Sequence, residues 1–86
     1  MPYRQSIDEI GRLGAGGEDA AGTRAERIVD AHMAGFSHHT ERSLALDALL
    51  RDLARLRRRE PALDGFITGV EAYIDALHRD LVRRAA

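Results

Sequence analysis

Cysteine is missing from this chain, and so are lysine, asparagine and tryptophan. Without cysteine there is no disulfide framework, no thiolate metal site and no thiol nucleophile. Without lysine, a phosphate loop lacks its gripping side chain. Aromatic residues are scarce, at two Tyr and two Phe in 86 residues. Proline occurs twice, so long helices meet few breaks. No apolar run approaches the ~18 residues of a membrane helix. The opening stretch MPYRQSIDEIGRL is charged and lacks the apolar segment of a secretory signal. A cytoplasmic protein is the expectation, with no membrane partner.

No sign of charge dominates. The formal net charge is −1, so no global attraction to nucleic acid is expected. Residues 1–41 carry four Arg against seven acids, while residues 42–86 carry nine Arg against seven. Arginine as the only basic residue besides histidine fits the codon bias of a GC-rich bacterial genome.

What is present is leucine and alanine, with β-branched residues few and scattered; that favours helix. No stretch alternates apolar and polar residues over strand length, so no sheet is expected. Ser6 with Glu9 fits a capping box for a short first helix carrying Ile7, Ile10 and Leu13. GAGGEDAAG, residues 14–22, reads as a mobile linker. Gly11, Gly14, Gly16 and Gly17 suggest a phosphate cradle, but no strand precedes them. Thr23 with Glu26 fits a second capping box. Gly35 suits a left-handed helix end, and Ser37 suits the next N-cap.

Two long amphipathic helices follow. Leu46, Leu49, Leu50, Leu53 and Leu56 step by three and four, and Pro61 ends that helix. Asp64 is placed to cap the next, whose stripe is Phe66, Val70, Tyr73, Ile74, Leu77 and Leu81. The short connection makes them antiparallel. The expected fold is all-α: a helical hairpin over about 38–59 and 64–84 with one or two shorter N-terminal helices. Residues 1–22 are expected to form a short helix plus linker, a detachable docking arm, and residues 23–86 the bundle. In so small a chain the leucine stripe argues for a bundle completed by homodimerisation.

AHMAGFSHHTERS, residues 31–43, holds three of the four histidines. Adjacent His38 and His39 point about 100° apart on a helix, which is poor for chelation. Asp75 and His78 offer one i,i+3 pair, and a di-iron bundle needs more. Ala31, Gly35 and Phe36 resemble the turn of a helix-turn-helix. Asp30 and Glu41 would then enter its small core, where charge is costly. One helix over 24–58 would run a seven-residue seam through Ala25, His32, His39, Leu46 and Leu53. Its polar middle reads as a break. The stretch is therefore expected to be a corner, with His32 a candidate pH-sensitive group if it sits at an interface.

Catalysis finds little footing. Ser6, Ser37 and Ser43 occupy cap-like or helical positions, and no oxyanion donors or orienting acid accompany them. The expectation is a non-catalytic helical protein-interaction module, a regulatory or accessory protein of a bacterial or phage system. It needs no cofactor, and its partner is another protein. Phe36, Leu46, Leu49, Leu53, Phe66, Val70 and Tyr73 are its expected apolar anchors, with Arg51, Arg55 and Arg58 as the charged rim. One alternative is a nucleic-acid-binding dimer that joins this Arg face to Arg79, Arg83 and Arg84. Another is a metal-binding bundle built on the histidines and Asp75.

Overall fold

The computed structural model describes residues 2–17 and 20–85. They form four α-helices: α1 (Pro2–Gly16), α2 (Ala21–Met33), α3 (His39–Arg59) and α4 (Asp64–Ala85). A single 3-10 turn, Pro61–Leu63, links the last two. No strand occurs among the described residues.

The α3–α4 hairpin forms where the leucine periodicity predicts it. Pro61 lacks an N–H and restricts Glu60 before it, so α3 cannot continue. The Glu60 N–H still closes the last turn on the Leu56 carbonyl at 2.8 Å. Arg57 then staples the hairpin at this end. Its guanidinium meets Glu71 bidentately at 2.6 and 3.1 Å, Asp64 at 2.6 Å and the Thr68 hydroxyl at 2.9 Å. The two carboxylates raise the Arg57 pKa, the Glu71 hydrogen bond first and Asp64 after it. At the other end the Ser43 hydroxyl lies 3.0 Å from His78 Nε2. The start of α3 thus meets the end of α4, and the helices are antiparallel.

The first pair is antiparallel too, since Ser6 Oγ near the start of α1 lies 3.3 Å from His32 Nδ1 near the end of α2. This pair covers the hairpin's apolar stripe. Ile10, Val29, Leu49, Leu53, Ile67 and Ile74 are fully buried in one continuous core, and no polar or charged side chain is buried among the described residues. The radius of gyration, 12.6 Å, is near the ~12 Å of a compact chain this long.

Several expectations need correction. The first helix is not short: α1 runs through Gly11, Gly14 and Gly16, so these residues lie in helix and form no phosphate cradle. Of the expected linker, residues 14–16 and 21–22 lie in helices and Gly17 and Ala20 in turns, while Glu18 and Asp19 lie outside the described residues. Ile7 and Ile10 sit in the common core, which places α1 inside the bundle rather than on an arm ending at residue 22. Ser6 and Thr23 lie within helices rather than at caps. Gly17, at φ 66°, is the left-handed glycine among the described residues, and Gly35 is not. His38 takes the N-cap of α3 in place of Ser37, its Nδ1 accepting from the Thr40 N–H at 3.2 Å. The leucine stripe expected to await a second copy is sealed by α1 and α2 of the same chain.

The glycines explain why α1 forms against its local propensity. A Cβ on Gly14 would sit 2.6 Å from the Phe66 ring, and one on Gly11 would sit 3.5 Å from Leu56. Each glycine costs about 1 kcal/mol in a helix interior. Here the missing side chain of Gly14 lets α1 approach α4, a Cβ on Gly11 would make only ordinary contact, and burial of Ile7 and Ile10 offsets the cost of both glycines.

Candidate functional site

Residues 31–43 form a corner. Bonds from Gly35 N to His32 O (3.3 Å) and from Phe36 N to Met33 O (3.0 Å) wind down α2. Arg42, one turn into α3, reaches back to the carbonyls of Met33 at 3.0 Å and Phe36 at 2.7 Å. A cation on carbonyls at a helix C-terminus satisfies orphan acceptors and complements the dipole. The helix-turn-helix reading required Asp30 and Glu41 in a core, yet both are exposed. Asp30 instead accepts a 2.6 Å hydrogen bond from the Tyr73 hydroxyl. That bond, with burial and the Asp30 charge behind it, pushes the Tyr73 pKa up to about 12. Tyr73 is thereby a hydrogen-bond donor pinning α4 to α2.

The histidines do not converge. Among the described residues, no group of three or more His, Asp and Glu side chains is placed to hold a metal ion. His38 is taken up as a cap, and His39 is exposed. His78 and Ser43 make a constellation with a catalytic look, with Asp47 4.0 Å from His78. Serine and carboxylate both approach Nε2. A serine triad instead holds the acid on the opposite ring nitrogen, where it orients the base.

His32 is half-buried between α1 and the corner, its ring 5.5 Å from that of Phe36. Desolvation by burial lowers its pKa. The unfolded chain therefore takes up the proton first as pH falls. Stability is fully present above the ordinary value near 6.5 and drains away as pH drops through the lowered folded value. Urea midpoints measured from pH 7.5 to 5.5 are expected to decline in the wild type and to decline less in His32→Gln. Equal slopes would remove His32 from the account.

The residues expected to meet a partner separate into three groups. Leu46, Leu49, Leu53 and Val70 are core residues, each no more than 2% exposed. They are closed to any partner of the folded chain, because α1 and α2 already occupy the stripe. Phe36, Phe66 and Tyr73 are half-buried and packed against that core. Arg51, Arg55 and Arg58 are exposed.

Two features escaped the sequence reading. Leu44, 63% exposed, lies on the same outward face of α3, at positions i, i+7 and i+14 with Arg51 and Arg58. A groove of about 430 Å3 also runs between α1 and α2. Leu44 was detectable, since it falls outside the leucine stripe. The groove was not, because it depends on how two helices meet. No protein-family model, curated protein or solved structure matches this chain.

Proposed function

We propose that this chain is a small non-catalytic interaction module, a regulatory or accessory protein, whose α3 outer face docks an acidic protein surface. One observation carries the reading: Leu44, Arg51, Arg55 and Arg58 form an exposed stripe on the side of α3 away from its buried leucines. Arg55 pairs within its own helix, 3.5 Å from Asp52. Arg51 and Arg58 contact no carboxylate among the described residues. Two guanidiniums with no carboxylate contact, Arg51 and Arg58, beside an apolar side chain suit carboxylates around an apolar contact. The homodimer expected from an open stripe loses its ground, because the leucines are covered within one chain. Self-association would have to use exposed faces such as this one.

The test compares wild type with the triple variant Arg51→Glu, Arg55→Glu, Arg58→Glu as bait in a lysate of the source organism. One dominant partner that survives nuclease is expected, with the triple variant binding it at least about tenfold more weakly and wild-type affinity falling with salt. These side chains are exposed, so circular dichroism should be unchanged. Capture that disappears on nuclease treatment would transfer the Arg face to nucleic acid.

A further inference from the structure

We propose that the groove between α1 and α2 seats an acidic amphipathic helix of a protein partner. This inference goes beyond the α3 face and does not depend on it.

The groove is built from successive turns of both helices. Glu9, Arg12 and Leu13 line it from α1; Arg24, Arg27 and Ile28 line it from α2. Leu13 and Ile28 are half-buried and pack against the core from its edge, which makes an apolar floor. The charged residues form the rim.

Three observations select the occupant. First, shape: the lining repeats at i, i+3 and i+4 on two antiparallel helices. That surface accepts apolar side chains one helical turn apart on a third helix. The groove is open to solvent on its outer side. A small amphiphile would keep one side wet there, whereas a helix covers the floor and turns its own polar side outward. Second, charge: among the described residues the rim presents the exposed guanidiniums of Arg12 and Arg27 on its two sides, so carboxylates flanking the apolar anchors are favoured and lysines are repelled. Third, the helix end: α2 begins at Ala21 with no acidic residue in its first turn and no side-chain cap. The positive end of its dipole therefore favours an anionic group at that end of the groove. A partner helix matched to the 13 residues of α2 is about 20 Å long.

The probe is a displayed library of random 16-residue peptides selected on the full chain, followed by synthesis of the most enriched sequence. Apolar residues at i, i+3 or i+4, and i+7 with flanking Asp or Glu are expected. Its binding should shift the amide signals of Arg12, Leu13, Arg27 and Ile28. The double variant Arg12→Glu, Arg27→Glu should weaken it by at least about tenfold through like-charge repulsion. Both side chains are exposed, so the fold should survive the change. Failure to enrich any peptide, enrichment of basic or neutral peptides, or affinity unchanged in the double variant would each overturn the proposal. Shifts confined to Arg51, Arg55 and Arg58 would overturn it as well, while leaving the α3 face standing.

Discussion

Ile10→Ala is expected to destabilise the whole chain by about 2–5 kcal/mol, the range for emptying a fully buried aliphatic site. Ile10 is 0% exposed and shares its core with Val29, Leu49, Leu53, Ile67 and Ile74. Removing three carbons forfeits their transfer free energy and leaves a space that neighbours on other helices fill only in part. A chain of this length holds about 4–13 kcal/mol in all, so the loss is a large share of the total. Urea unfolding followed by circular dichroism measures it, with hydrogen exchange of α3 amides as a second readout. If α1 were a detachable arm, the variant would unfold at the wild-type midpoint and α3 protection would not change.

Gly14→Ala should also destabilise, by up to about 2 kcal/mol net, against the direction helix propensity predicts. Alanine gains about 1 kcal/mol over glycine in a helix interior. The new Cβ would lie 2.6 Å from one ring carbon of Phe66 and 2.9 Å from another, so α1 and the ring must separate. Overpacking of this kind costs about 1–3 kcal/mol. Gly69→Ala is the control. It lies in α4 with nothing within 4 Å of its added methyl, so the propensity term acts alone and stability should rise by up to about 1 kcal/mol. Opposite signs for the two substitutions identify Gly14 as a contact residue. Equal stabilisation would mean the Phe66 ring yields freely. Adding Phe66→Leu to Gly14→Ala should recover part of the loss, because the two sites are coupled through one contact.

These two glycines mark the limit of the sequence reading. A glycine in a helix is counted locally as a cost, and four between residues 14 and 22 read as a linker. The compensation for Gly14 lies 52 positions away at Phe66, where no local pattern points. The capping boxes at Ser6 and Thr23 failed for the opposite reason. A two-residue signature is so undemanding that helix interiors contain it by chance. Arginines divided similarly. Arg57, at the edge of the leucine stripe, is the hairpin staple, while Arg51, Arg55 and Arg58 stand clear of the other helices. A run of arginines does not say which of them finds a carboxylate.

What the sequence determined alone was whatever one helix at a time can express. The all-α class, the stop at Pro61, the corner after Met33 and the burial of Leu46, Leu49 and Leu53 all follow from periodicity and backbone chemistry within short windows. The tertiary structure decided which face meets which: that α1 and α2, rather than a second chain, cover the leucine stripe, and that a basic-rimmed groove opens between them. Periodicity marks the side of a helix that must be buried. Only the relative placement of helices says what buries it, and which charged groups the same packing leaves on the rim of a groove.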